Sequence, residues 1–399
     1  MKKIILTNQH SDNRGDESAT IGVVKSLREY FGKDAQILIF LQSGSQNKFL
    51  PDYCKVEEKS MISGVCSTME LFIWILFKSI NIDTRKLILR NVRETIEMHE
   101  NADIIISSCG GPYIGDIYIN HEFVHLIYLA IPLLLNKKSA FFAPSMGPFK
   151  SKIMNPFRKK ILENIGVITL RDGISFELVK EFLPEKKDIY LTADACLADH
   201  INLGKLIKKP DIIGITPLDY SYPISDKPYE KKNQYERSIV ATLDILLEKD
   251  PELKVEFFPQ LYGKHSDIPF INKIIGQMKY PERALIFSNM KSGREQQLEI
   301  ASLCFMIATR YHSAIFACKT ITPVVCIVYE HKAKAFMHSV NMEDYVLDIY
   351  NLDEKKILEK INLIHQNYQN IKENLKIKIP ELESTAKKTA KIIYDYTEE

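Results

Sequence analysis

Short apolar runs alternate along this chain with stretches in which apolar residues recur at helical spacing. The first run is Lys3-Ile4-Ile5-Leu6-Thr7. A polar loop at 8–17 follows, and then Ile21, Val24, Leu27 and Phe31 mark one face of a helix. Similar runs lie at 35–41, 102–107, 139–143, 167–170 and 189–192, and most end in a polar loop bearing glycine, proline or aspartate. Runs that are apolar throughout and joined by helical stretches are the mark of parallel strands covered on both faces. Residues 198–210 are polar and lysine-rich and read as a linker. The alternation then restarts, with strands expected at 212–216, 254–258, 283–287, 303–308, 322–328 and 345–349. Helices are expected at 235–249, 270–278 and 293–301, after a long polar loop at 217–233. The spacing predicts an α/β fold with two Rossmann-like, doubly wound parallel-sheet domains, 1–197 and 211–350. A charged helical segment, 354–399, broken at Pro380, is expected to pack across both. Residues 42–68 read as irregular and 84–101 as one long helix.

Composition narrows the classes. With 399 residues, two domains are expected, and 45% hydrophobic residues suffice for two cores. A net charge of +2 provides no basic field to attract nucleic acid. The seven cysteines at 54, 66, 109, 196, 304, 318 and 326 form no CxxC pair. They read as buried thiols in a reducing cytoplasm. No secretory signal pattern opens the chain, and no cluster at metal-ligand spacing appears. Residues 69–82 and 123–135 are apolar but shorter than the roughly 20 residues that span a bilayer. The first, with Trp74 and a flank of Arg85, Lys86, Arg90 and Arg93, reads as a core helix, with a peripheral contact at the inner membrane face as the alternative.

The candidate chemistry sits where strands end. In open parallel sheets, ligands bind outside the carboxyl ends of the strands. The run ending at Thr309 delivers Arg310 and His312 to such a position, just before a helix. A permanent cation and a titratable imidazole there suit a small anion that must also receive a proton. The next run ends in Tyr329-Glu330-His331-Lys332, a second polar mouth on the same edge. In the first half, Asn13-Arg14-Gly15-Asp16 follows the first strand and Gly110-Gly111 follows the run at 102–107. Further loops are Ser145-Met146-Gly147-Pro148-Phe149 and Arg171-Asp172-Gly173-Ile174-Ser175. A glycine-rich loop after a buried strand lets backbone amides face a ligand, though no Gly-Lys-Ser/Thr follows to make it a P-loop.

In their order and spacing these loops, with Thr192-Ala193-Asp194, resemble the polysaccharide pyruvyl transferase family, over residues 1 to about 340. The chain departs from the family pattern in having Pro112 where a third glycine is common and Ala195 where a proline is common. The resemblance implies a GT-B-like pair of Rossmann-type domains facing a cleft, with the acceptor on the first and the donor on the second. It also implies transfer of the enolpyruvyl unit of phosphoenolpyruvate to a hexose of a cell-surface polysaccharide or its lipid-linked precursor, closing a pyruvate ketal. By resemblance, Arg171, Arg310 and His312 contact phosphoenolpyruvate. Arginine suits its carboxylate and phosphate because the planar fork pairs with both bidentately.

On these expectations Arg171, Arg310 and Lys332 hold the donor, with Gly110, Gly111, Asn13 and Ser145 lining the site. His312 is the general acid, kept protonated by the substrate's own charges. Asp16, Asp116 or Glu330 takes the proton from the attacking hydroxyl. No metal or cofactor beyond the co-substrate is called for. A glycosyltransferase using a nucleotide-sugar, or a non-catalytic anion-binding protein of the same fold, would fit the same architecture.

Overall fold

The computed structural model describes residues 1–10, 12–42, 50, 54–62, 64–109, 114–117, 119–204, 206–288 and 290–399, the side chains of 119–121 excepted. Contacts divide the chain into two compact units. One comprises Met1–Asp12, Asp16–Asp199 and Leu382–Glu399, and the other Asn13–Gly15 and His200–Glu381.

In the first unit the strands are β1 (Lys3–Gln9), β2 (Gln36–Leu41), β3 (Glu57–Ser60), β4 (Ile104–Ser107), β5 (Lys138–Phe141), β6 (Val167–Leu170) and β7 (Ile189–Leu191). They form one sheet in the order β3-β2-β1-β4-β5-β6-β7, all parallel. The inner strands β4 and β6 are buried at every position, which is why their sequences are mostly apolar instead of alternating, with Ser107 and Thr169 as buried polar positions. The connecting helices are α1 (Arg14–Phe31), α2 (Val65–Ser79), α3 (Arg90–Glu100), α4 (Ile119–Leu134), α5 (Asn155–Asn164) and α6 (Gly173–Phe182). Helix α1 carries Asp16 and Glu17 in its first turn and Arg28 in its last, each sign where the helix dipole favours it. The core around β1, β2 and β4 packs Ile5, Phe40, Trp74, Val92, Ile96, Ile105 and Tyr128. Trp74 is fully buried, and its Nε1 donates to Asp83 at 3.2 Å.

The second unit holds β8 (Ile212–Thr216), β9 (Lys254–Phe257), β10 (Ala284–Ile286), β11 (Met306–Ala308), β12 (Val324–Val328) and β13 (Val346–Asp348). Their order is β10-β9-β8-β11-β12-β13, again parallel. Its helices are α7 (Pro228–Lys249), α8 (Ile268–Ile275), α9 (Gly293–Ser302), α10 (Tyr311–Lys319) and α11 (His331–Ser339). A capping box between Ser292 and Glu295 opens α9. In each sheet the first strand of the unit lies in the interior, and the direction of growth reverses beside it: between β1 and β4 in one, β8 and β11 in the other.

Several local expectations need correction. The long helix at 84–101 is a 3-10 turn, Arg85–Leu87, followed by α3. Ile88 and Leu89 lie in extended backbone between them, with Ile88 buried. The irregular stretch at 42–68 contains β3 and the start of α2. The loop at 217–233 is shorter than expected because Pro228 opens α7, at the helix position where a missing N–H costs nothing. The last helix, α12 (Glu354–Glu398), passes through Pro380, and its non-helical residue is Asn367 (φ −110°, ψ 15°). Its end is tied into the first unit: Lys138 donates to the carbonyls of Tyr396 (3.1 Å) and Thr397 (2.9 Å).

Candidate active site

In the second unit the reversal between β8 and β11 brings the ends of two central strands together. The Thr309 amide donates to the Thr216 carbonyl at 3.1 Å, and the Thr216 and Ser313 hydroxyls stand 2.7 Å apart. Arg310 sits at this point as the residue preceding α10, in extended backbone (φ −87°, ψ 133°). Its side chain is 17% exposed. One guanidinium nitrogen pairs with Asp267, whose other oxygen accepts the amides of Gln260 and Leu261, both at 2.9 Å. The buried Nε of Arg310 has no hydrogen-bond partner among the described residues. Arg310 is thus aimed by a buried carboxylate that is itself fixed by backbone, while part of its fork stays open.

His312 follows in the first turn of α10, and its position depends on Gly15. A Cβ at residue 15 would lie 2.0 Å from His312 Nδ1, 2.2 Å from Cγ and 2.5 Å from Cβ. Only a glycine lets the backbone lie against the imidazole this closely. The segment Asn13–Gly15 belongs by its contacts to the second unit. Asn13 bridges Leu261 and accepts the Gly15 amide at 2.8 Å. Arg14, fully buried, donates to the carbonyls of Pro259, Ser288 (2.9 Å) and Lys291 (3.2 Å) and lies over the rings of Tyr262 and Phe287. An arginine whose donors are spread over three carbonyls holds this loop in place.

The end of β12 supplies the next groups. Glu330 precedes α11 and pairs with Lys332 at 2.7 Å, both side chains nearly buried. Lys332 Nζ stands 5.7 Å from the Tyr311 ring centre. Burial pushes the Tyr329 phenol above its ordinary pKa, Lys332 and Arg310 pull it back and Glu330 pushes it further. Arg310, Glu330 and Lys332 therefore act on one phenol at one end of the sheet.

The first unit gathers a different network at the carboxyl ends of β5, β6 and β7. Arg171 Nε donates to Ser145 Oγ at 2.9 Å and its Nη1 to Asp194 at 2.8 Å. The side chains of Arg171 and Asp194 are each 1% exposed. Ser145 Oγ donates to Asp172 at 2.6 Å, and Asp172 caps α6 by accepting the Ser175 amide at 2.8 Å. Asp194 also accepts the Cys196 amide at 2.8 Å. Burial raises the pKa of the Cys109 thiol, with Asp194 and Asp16 adding to the rise and Arg171 opposing it. Asp16, buried in the first turn of α1, thus lies within electrostatic reach of the same thiol as Arg171 and Asp194.

Asp116 stands apart from that network. One oxygen accepts from Arg158 Nη1 at 2.7 Å and the other from the amides of Lys150 and Ser151. Arg158, itself fully buried, forks onto Glu122 with two bonds of 2.7 Å. With both oxygens engaged, Asp116 suits the holding of the 150–151 turn better than the proton-accepting role expected of it. Gly110 and Gly111 lie outside the described residues.

Sequence reasoning passed over Asp267, Arg14, Arg158 and Glu122, and noticed Asp194 only as part of a motif. Arg14 and Asp194 stand inside noted loops and could have been weighed. Asp267 lies in no motif and has no local signal.

Against known proteins, the model of the family "Polysaccharide pyruvyl transferase" matches residues 13–331. The chain belongs to the polysaccharide pyruvyl transferase family. Among curated relatives, the amylovoran biosynthesis protein AmsJ of Erwinia amylovora is 22% identical over 401 aligned positions, covering 94% of each chain. That family is one of transferases acting on polysaccharides. Solved structures show the same fold at low identity. The S. aureus MnaA–UDP co-structure aligns with a TM-score of 0.64 at 9% identity, covering 97% of this chain and 94% of that one. The UDP-GlcNAc 2-epimerase of Neisseria meningitidis bound to UDP-GlcNAc aligns at 0.56 and 11% identity, covering 99% and 100%. The expectation of two parallel-sheet Rossmann-like domains holds.

Proposed function

We propose that the protein transfers the enolpyruvyl group of phosphoenolpyruvate to a hexose of a cell-surface polysaccharide, or of its lipid-linked precursor, and closes it to a pyruvate ketal. The observation that carries this reading is the pairing of Arg310, part of its fork open, with His312 seated against Gly15, at the strand ends where the second sheet reverses. Arg310 and Lys332 bind the donor's carboxylate and phosphate. Protonated His312 delivers its proton to the methylene carbon, and positive charge develops on the carbon bearing the phosphate. A sugar hydroxyl attacks that carbon and gives its proton to a carboxylate, Glu330. Phosphate then leaves, and a neighbouring hydroxyl closes the ring. The balance is one phosphoenolpyruvate and two hydroxyls in, one ketal and one phosphate out. Glu330 is supported as the base by its pairing with Lys332, which favours the ionised form. Arg171 contributes by ordering the loop of Ser145 and Asp194. We assign the reaction to the cytoplasm, and with a lipid-linked acceptor to the membrane surface facing it.

The test is phosphate release from phosphoenolpyruvate in the presence of hexose and lipid-linked glycan acceptors, with the ketal methyl group followed by NMR. Release that depends on acceptor and disappears in Arg310→Ala and His312→Ala supports the reading. A thermal shift with uridine diphosphate and none with phosphoenolpyruvate would replace it with nucleotide-sugar chemistry. Binding of phosphoenolpyruvate without turnover of any acceptor would leave an anion-binding protein.

A further inference from the structure

Helix α2 presents an apolar face to solvent. Val65, Met69, Ile73, Leu76 and Phe77 are 41–81% exposed, and Ile80, just past the helix, is 64% exposed. Successive residues turn about 100° around a helix axis, so these six fall on about one third of its circumference. The only other residue on that arc is Cys66, also exposed, and no charged side chain lies on it. The opposite side carries Leu71 and Trp74, both buried in the core. The core-helix reading of 69–82 holds for Leu71 and Trp74, while the other face of the same helix is turned out. Six large apolar residues on one uncharged arc are more than the scattered exposure usual on soluble surfaces.

The chain that follows decides what covers this face. From 65 to 100, through the end of α3, the basic residues Lys78, Arg85, Lys86, Arg90 and Arg93 are matched by the acidic Glu70, Asp83, Glu94, Glu97 and Glu100, so what matters is which of them stand exposed beside the arc. Lys86 and Arg90 are exposed, and they alternate with Leu87 (85% exposed) and Leu89 (49%). Asp83 is engaged by Lys78 and Arg85, Arg85 also by Glu100, and the exposed Arg90 by Glu94 at 2.7 Å. Lys86 is thus the exposed base with no ion pair among the described residues, and Arg90 holds its partner only at the surface, where such a pair is weak. A smooth apolar arc beside exposed bases and leucines matches a layer with an apolar interior and an anionic surface. No helix among the described residues is long and apolar enough to cross a membrane.

We propose that the outer face of α2, continued through 80–90, lies in the headgroup layer of an anionic bilayer. Val65, Met69, Ile73, Leu76, Phe77 and Ile80 enter the acyl boundary, and Lys86 and Arg90 contact lipid phosphates. The contact concerns different residues from the proposed catalytic site and stands whether or not that chemistry is correct.

The experiment is co-sedimentation of the full chain with vesicles of phosphatidylglycerol and phosphatidylethanolamine, and separately with pure phosphatidylcholine. Wild type should bind the anionic vesicles at least tenfold more tightly. Ile73→Glu with Leu76→Glu, both at exposed positions, should abolish binding to both, while circular dichroism and Tm stay unchanged. Lys86→Glu with Arg90→Glu should weaken binding to anionic vesicles by about tenfold and leave phosphatidylcholine binding alone. Wild type that sediments with neither vesicle overturns the proposal, as does equal binding by the Ile73/Leu76 variant. A concentration-dependent dimer that the same variant dissolves, with no vesicle binding, also overturns it and assigns the face to a second copy.

Discussion

Each unit carries an arginine at the carboxyl end of a parallel strand, and the two are held in opposite ways. Arg171 is closed in: Ser145 and Asp194 take its nitrogens, and both members of the ion pair are 1% exposed. Arg310 is 17% exposed, shares one nitrogen with Asp267 and keeps its Nε without a partner among the described residues. A buried pair costs desolvation of both charges, and that cost is met only if the pair stays made. On the proposed reading Arg171 orders the loops of β5, β6 and β7. Arg310 is steered by its carboxylate without being used up, as a ligand-binding cation must be. Motif position alone would have given the two the same role.

The sharpest way to break this contrast is to remove the imidazole beside Arg310. His312→Ala should lower kcat for phosphate release by about 10²–10⁴ and leave urea-unfolding stability within about 0.5 kcal/mol of wild type. Arg171→Ala should do the reverse in kind, lowering stability by about 3–5 kcal/mol because Asp194 is left buried and unpaired. If Arg171→Ala keeps full stability and loses only donor binding, the contrast collapses and both arginines are ligand contacts.

The two histidines extend the comparison. His99 is fully buried between Phe40 and Tyr128, bonds the Thr95 carbonyl through Nδ1 at 2.8 Å and leaves Nε2 without a partner among the described residues. Burial pushes its pKa down to about 4, against the Thr95 bond that favours the charged form. Because the folded pKa lies below the unfolded value near 6.5, the unfolded chain binds the proton first. Stability is complete above about pH 6.5 and falls by about 3 kcal/mol as pH drops toward 4. Urea unfolding at several pH values should show that slope, and His99→Phe should flatten it.

The smallest expected effect probes the support under His312. Gly15→Ala must move either the loop or the ring, since the new methyl would meet the imidazole at about 2 Å. Turnover should fall about ten- to a hundredfold, with the acid limb of the pH profile displaced and phosphoenolpyruvate affinity changed less than in Arg310→Ala. An unchanged pH profile would show that the ring's position is set elsewhere.

Much of the fold was legible. Strands such as β6 and β8 were read to the residue, because a strand covered on both faces is apolar over most of its length. Less legible were elements decided by their ends. The helix read at 84–101 breaks because Ile88 is buried in extended backbone, and periodicity carries no sign of that. In the site, Arg310, His312, Glu330 and Lys332 were readable as polar groups following apolar runs. Asp116 was readable only as an acid near glycines, and Arg158, 42 residues away, is what occupies it.

By itself the sequence determined the number and kind of elements and the chemical character of each strand end, since burial and turn chemistry are local demands on residue type. Which strand ends stand side by side was decided by tertiary structure. The pairings Arg171 with Asp194 and Arg310 with Asp267 follow from the order in which parallel strands are laid down in each sheet, and Gly15 meets His312 because the segment Asn13–Gly15 packs with the second unit. That order is set by packing among residues far apart in the chain, so it leaves no period in the sequence to read.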